Sequence, residues 1–367
     1  MKKRLSNIEL LRIISMLLII MHHFTIHSGV KTYLLNLGMN RYLMEITRLG
    51  NLGVVIFIII TGYFSINSNK PFKLNKLIRL VLEVFFYSFG IYLIFLKLGY
   101  IDFNFKELLI NIFPILFEKY WFITAYVSLY IITPFINKLL NNFNQKDYVR
   151  FLLFGFLILS LMHTFTTREL YFNNLFDFIF YYSIGGYLMM YKNNIFSKKK
   201  YITYVIYSCI ILLLLSVLFF DIISLKISIF GKYSTYFFLK PSPLILFLSI
   251  AIFNLFAKLN IRSSKIINLI SSCVFGIYLI HDNNYIRSVL WSKIFHVSNY
   301  VDSNLLILYM FGSVLLVFVV CLVIEFIRKN TIERLTNKIL DTPCDYIEKK
   351  YFELFDKVYN KLLNLNK

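Results

Sequence analysis

Apolar residues in this chain come in blocks of about 20, the length that predicts helices crossing a bilayer rather than strands or one-faced soluble helices. Ten such blocks can be drawn, at 6–28, 48–67, 77–97, 120–140, 149–167, 175–191, 202–220, 242–257, 268–287 and 304–327. Between the third and fourth, FNFKELLINIFPILFEKYW is interrupted by Pro114 and too short to span, so a short surface or re-entrant helix is expected there. The stretch from Asp221 to Pro241 mixes aromatics with Gly231, Ser234 and Thr235, a pattern that suits either sugar stacking or the aromatic belt of a membrane interface. Beyond Pro343, the apolar positions Ile347, Tyr351, Phe355, Val358, Leu362 and Leu365 recur every three or four residues. They predict an amphipathic helix on the inner leaflet.

Composition fixes the class. With 58% hydrophobic and 16% charged residues, a soluble chain of this size could not bury its apolar surface, so an all-α polytopic membrane protein is expected. The net charge of +20 does not point to nucleic acid, because the cations sit in short segments between apolar blocks. That distribution matches cytoplasmic loops facing an anionic leaflet and puts the N- and C-termini inside. The expected organisation is a membrane domain at 1–328 and a cytoplasmic amphipathic tail at 329–367. Met1-Lys2-Lys3-Arg4 and the following block read as a retained anchor. The cysteines Cys209, Cys273, Cys321 and Cys344 have neither metal-ligand spacing nor a disulfide pattern.

The first block carries groups that a lipid-facing helix should lack. Glu9 and Arg12 precede its apolar run, and His22, His23 and His27 follow it. Ionisable groups at membrane depth are costly unless paired or turned inward, which makes them candidates for chemistry. At roughly 100° per residue, Arg12 and His23 leave the helix on nearly one face, about 16 Å apart along its axis. Glu9, three positions before Arg12, is its natural ion-pair partner. On local pattern alone, Arg12 snorkelling to the headgroups is the competing reading.

A second polar cluster closes the ninth block, where His281, Asp282, Asn283 and Asn284 form either a functional group or simply the wet end of a helix. His281 is the second imidazole that comes to the same depth as His23 if the two helices touch. The segment Lys70, Lys73, Lys76 and Arg79 spaces cations every third position into the third block. It suits phosphate binding, and topology alone would also produce it. Glu83, Asp177 and Glu325 are further acids within apolar blocks, open to pairing with Arg12, Arg79 or a loop lysine.

Taken in order, five blocks resemble the integral-membrane acyltransferase-3 family. They are NIELLRIISMLLIIMHHF with Arg12 and His23, GVVIFIIITGYFS with the basic loop after it, YWFITAYVSLYIITPFIN, YYSIGGYLMMYKN and FGIYLIHDN, covering Asn7 to about Arg328. The resemblance implies a ten-helix O-acyltransferase that moves an acyl group, usually acetyl from acetyl-CoA, to hydroxyls of cell-surface polysaccharides or their lipid-linked precursors. Its partners would be acyl-CoA, the glycan and the lipid bilayer, with no metal and no nucleic acid.

By that resemblance Arg12 and His23 are the family's arginine-to-histidine motif, and Lys70, Lys73, Lys76 and Arg79 face the nucleotide end of coenzyme A. The expected catalytic set is then His23, Arg12, Glu9 and His281. His23 serves as general base or acyl carrier, Arg12 lines the donor path and offers charge to the thioester or thiolate, and His281 orients or relays a proton. Lys, Asn and Ile richness suggests an AT-rich bacterial genome, and the expected location of such a multi-pass family member is the bacterial plasma membrane. The alternative class is a polysaccharide transporter or polymerase without acyl transfer, which would not need a cationic donor loop.

Overall fold

The computed structural model describes residues 5–68, 73–166, 174–192, 198–239 and 242–336, together with 343, 346, 349–350 and 353–354. The chain runs through α1 (Ser6–Ile26), α2 (Met39–Ile46), α3 (Gly50–Ser65), α4 (Leu74–Lys97), α5 (Phe105–Ile112), α6 (Trp121–Asn141), α7 (Gln145–Gly155) and α8 (His163–Thr166). It continues through α9 (Asn174–Met190), α10 (Lys199–Ser224), α11 (Pro243–Ala257), α12 (Lys265–Ser272), α13 (Val274–His281), α14 (Asn284–Val289) and α15 (Leu306–Arg328). Among the described residues there is no strand, and eight helical stretches are long and apolar enough to cross a membrane. A ninth is added if Lys265–His281 and Asn284–Tyr300, bent by 65°, form one broken span. The element expected at 175–191 is α9, whose 17 residues rise about 26 Å, a little under the hydrocarbon thickness.

The fold divides into two compact units, one of Met1–Asn69 with Pro134–Leu322 and one of Lys70–Thr133 with Val323–Lys367. In the first, α1 packs against α3, α11, α12 and α13, and α3 packs against α9. Helices in lipid gain nothing from hiding apolar surface from water, so close backbone approach and polar contacts must hold them. At Gly62 of α3 an added Cβ would lie 2.0 Å from the Tyr182 carbonyl oxygen, and at Gly185 of α9 it would lie 2.1 Å from that of Ile59. These glycines let the two backbones touch, and each falls inside a block that carried the family resemblance.

Polar contacts tie down the start of α1. The Asn7 amide donates to the carbonyls of Phe256 (2.9 Å) and Ala257 (3.3 Å), satisfying acceptors that the end of α11 leaves open. Ser6 Oγ accepts from the Ser264 N–H (2.9 Å) and donates to Asn268 (3.1 Å). The lipid side looks different. On α10, Tyr204, Tyr207, Ile211, Leu215, Phe219 and Ile222 are exposed while Ile202, Cys209, Leu213 and Val217 are buried, the inverted pattern of a helix facing hydrocarbon. That helix ends on a buried ion pair, Arg41 Nη2 to Asp221 Oδ1 at 2.6 Å, with Ser234 Oγ donating to the same oxygen at 2.7 Å.

The second unit holds its own buried charge cluster. Arg328 bridges Glu325 through two bonds (2.8 and 2.9 Å) and reaches Glu83 at 2.9 Å, while the Tyr87 hydroxyl donates to Glu325 at 2.6 Å. Glu83 and Glu325 were expected to seek Arg12, Arg79 or a loop lysine; Arg328, counted as the edge of the tail, is their partner. The segment around Pro114 forms α5, capped by Asn104, whose side chain accepts from the Lys106 and Glu107 N–H groups at 2.9 and 3.2 Å. The amphipathic tail helix expected beyond Pro343 falls almost wholly outside the described residues.

Candidate functional site

The site grows from the end of α1. This helix closes at Ile26, where the His27 N–H bonds the His23 carbonyl at 3.0 Å, and Gly29 with φ of +78° then turns the chain away. His23 and His27 are four residues apart and so lie on one face. Their ring centroids are 5.1 Å apart.

The other half comes from a corner. The block at 268–287, expected as one helix, is divided into α12, α13 and α14. Helix α13 stops at His281, Asp282 takes a non-helical conformation, and Asn283 caps α14 by accepting from the Tyr285 N–H at 3.0 Å. Two adjacent side chains therefore escape the 100° separation that a continuous helix would impose. His281 and Asp282 both reach α1.

His281 is fully buried, with its Nδ1 2.6 Å from the Ile277 carbonyl and its Nε2 3.1 Å from His23 Nδ1. A carbonyl only accepts, so the His281 hydrogen is on Nδ1; in the neutral ring Nε2 is then the acceptor. His23 must donate from Nδ1, which leaves the lone pair of its own Nε2 uncommitted. Asp282 Oδ1 lies 3.6 Å from His23 Nδ1 and 3.8 Å from His27 Nε2, and Arg287 donates to it at 3.2 Å. His27, just past the end of α1, has its pKa lowered to about 4, first by burial and then by the positive charge of Arg287.

The expected residues fall into three groups. His23 and His281 are in direct contact. Glu9 and Arg12 form their own pair at 3.6 Å, and Ser271 Oγ donates to Glu9. Because α1 is continuous between them, Arg12 and His23 are about 16 Å apart along its axis. Arg12 is not wholly committed to this pair, with 31% of its side chain exposed.

The basic residues Lys73, Lys76 and Arg79 belong to the second unit. Lys73 exchanges both its backbone groups with the Tyr130 hydroxyl, its N–H donating at 3.1 Å and its carbonyl accepting at 3.2 Å. Lys76 lies over the Tyr130 ring, 5.2 Å from its centroid, and Arg79 donates to Asn75 at 2.9 Å. Lys70 lies outside the described residues.

Sequence reading counted His27 among the ionisable groups of the first block but did not place it, Arg287 or Tyr130 in these contacts. For His27 the signal was present, since a second histidine four positions after His23 must share its face.

These features define a multi-pass membrane protein with an imidazole pair and a carboxylate gathered at the end of a central helix. A family model described as an acyltransferase domain matches residues 5–326, and the chain belongs to that acyltransferase-3 family. It is by family a membrane acyltransferase. No curated protein and no solved structure matches it.

Proposed function

We propose that the protein transfers an acyl group, acetyl in the first instance, from acyl-CoA to a hydroxyl of a cell-surface polysaccharide or its lipid-linked precursor. His23 is the reacting base. The observation that carries this reading is the 3.1 Å contact between His23 and His281, which commits Nδ1 of His23 and leaves Nε2 to react. In the base route, Nε2 takes the proton of the sugar hydroxyl while its oxygen attacks the thioester carbonyl carbon. The carbon–sulfur bond then breaks, and the thiolate receives that proton from the imidazolium. In the covalent route Nε2 attacks the carbonyl itself, the thiolate departs, and the acyl group passes to the hydroxyl, whose proton ends on the thiolate.

Both routes place positive charge on the His23 ring. Asp282, 3.6 Å away and held by Arg287, is already oriented to stabilise it. About 16 Å down the helix, Arg12 is too far to share a carbonyl with His23. Its role in this reading is to meet the donor farther along its length. Lys73, Lys76 and Arg79, with Lys70, serve as the phosphate contacts of the donor, the lysines as point charges and the arginine as a fork. Cytoplasmic termini and a bacterial plasma-membrane location belong to the same reading.

The test is transfer of radiolabel from acetyl-CoA to native glycan by purified protein in lipid. Wild type should transfer label, and His23→Ala should lose transfer at an unchanged membrane level. Wild-type transfer by that variant would remove His23 from the mechanism. Mass spectrometry of surface glycan from a deletion strain should show the loss of one acyl mass per modified residue.

A further inference from the structure

Three potential metal ligands meet at the end of α1, and a third imidazole stands beside them. His23 Nδ1, His27 Nε2 and Asp282 Oδ1 lie within 4.8 Å of one another, and His281 Nε2 is 3.1 Å from His23 Nδ1. Tetrahedral zinc with bonds of about 2.0–2.2 Å sets its ligand atoms about 3.3–3.6 Å apart. His23 to His281, His23 to Asp282 and His27 to Asp282 stand at 3.1, 3.6 and 3.8 Å, close to that spacing.

The chemistry fits as well as the spacing. Imidazoles and a carboxylate suit zinc, and two of the imidazoles are presented four residues apart, one on the last turn of a helix and one on the residue that closes it. His281 donates its other ring N–H to the Ile277 carbonyl, the outer contact that orients a metal-binding histidine. Arg287 competes for Asp282 Oδ1, but a third of its side chain is exposed and it can withdraw. That competition favours a reversible site over a permanently filled one.

We infer that His23, His27, His281 and Asp282 form a reversible Zn2+ site whose occupation shuts off the protein. A metal on Nδ1 of His23 drives the ring proton to Nε2, the nitrogen that must stay bare to accept a proton or an acyl group. Zinc is thus an inhibitor, not a cofactor. This consequence rests on the proposed acyl transfer, whereas the binding does not.

The experiment uses full-length protein without a histidine tag, in detergent or lipid, titrated with Co2+ as a spectroscopic probe and back-titrated with Zn2+. The expected result is one saturable Co2+ per chain with the intense visible bands of tetrahedral geometry, displaced by Zn2+. His27→Gln and Asp282→Asn should each weaken binding at least about 10-fold. Absence of saturable binding, weak octahedral bands only, or unchanged affinity in both variants would overturn the site. In the transfer assay Zn2+ should inhibit wild type and spare His27→Gln; inhibition that is equal in both would overturn the link to His23. Tetrahedral Co2+ bands in a protein that transfers no acyl group from any CoA donor would uphold the site while sinking the proposed function.

Discussion

His23 and His281, separated by 258 positions in sequence, stand with ring nitrogens 3.1 Å apart. The second ring is anchored to the carbonyl one turn behind it, and that anchor decides which nitrogen of the first ring carries its proton. The same division of labour would be lost if His281 were replaced by a group that cannot accept.

His281→Phe removes the acceptor for His23 Nδ1 and frees the ring to take either tautomer. Acetyl transfer should fall by roughly 10²-fold or more, the scale of a displaced general base. His281→Gln, whose side-chain carbonyl can accept the same bond, should recover part of the loss. Steady-state kinetics of the three proteins would decide it, and equal rates for wild type and the Phe variant would show that the contact has no catalytic consequence.

For His27 the folded pKa of about 4 lies below the ordinary 6.5. Between these values the unfolded chain binds more protons than the native one, so stability rises with pH through that window. The stabilisation is complete above about pH 6.5 and is lost as pH falls toward 4. Thermal unfolding of the purified protein should show this loss on acidification, and His27→Gln should flatten it. A variant with the wild-type slope would place the acid sensitivity elsewhere.

Arg328 compensates Glu325, which is 0% exposed, and Glu83 beside it. Removing the cation strands the buried Glu325 and the half-buried Glu83, and Arg328→Met is expected to destabilise by about 3–5 kcal/mol. Glu83→Gln keeps the central pair intact and should be milder. Folded yield and melting temperature in one detergent would rank the two variants, with the reverse order counting against this cluster as a structural clasp.

Gly62→Ala would set a methyl group 2.0 Å from the Tyr182 carbonyl oxygen, so α3 and α9 must separate. A cost above roughly 1–3 kcal/mol is expected, with loss of folded protein. Gly90 of α4 has nothing within 4 Å of its added Cβ, which makes Gly90→Ala the matched control. That change should be neutral, or stabilising by up to about 1 kcal/mol through helix propensity.

Tyr130 fastens the backbone of Lys73 at both its N–H and its carbonyl. If this cationic segment receives the phosphates of the donor, Tyr130→Phe should raise KM for acetyl-CoA several-fold and leave kcat nearly unchanged. A fall in kcat with constant KM would speak against a donor-binding role.

Much of this architecture could be read from the chain, because spans near 20 apolar residues and glycines inside them are local signals. Arg12, Glu9, His23 and His281 announced themselves as polar groups in apolar blocks. The corner at Asp282 did not, since the polar run His281 to Asn284 read equally well as the wet end of one continuous helix; Asn283, a good helix cap, was the local hint that one helix ended and another began. The partner of Glu83 and Glu325 was equally hidden. Pairing between distant charges leaves no periodic trace, and Arg328 read as the boundary between the membrane domain and the tail. Arg41, between the first two blocks, and Asp221, at the start of the aromatic stretch, carry no local sign of each other, yet they form a buried pair.

One rigid rod and the residue that closes it supply His23 and His27, and a single bend in the chain supplies His281 and Asp282 against them. Turning α1 by one residue step would swing both imidazoles aside together, so there is no half-assembled form for the enzyme to occupy. Control over the pitch or roll of that rod would act as a switch with two positions rather than as a dial.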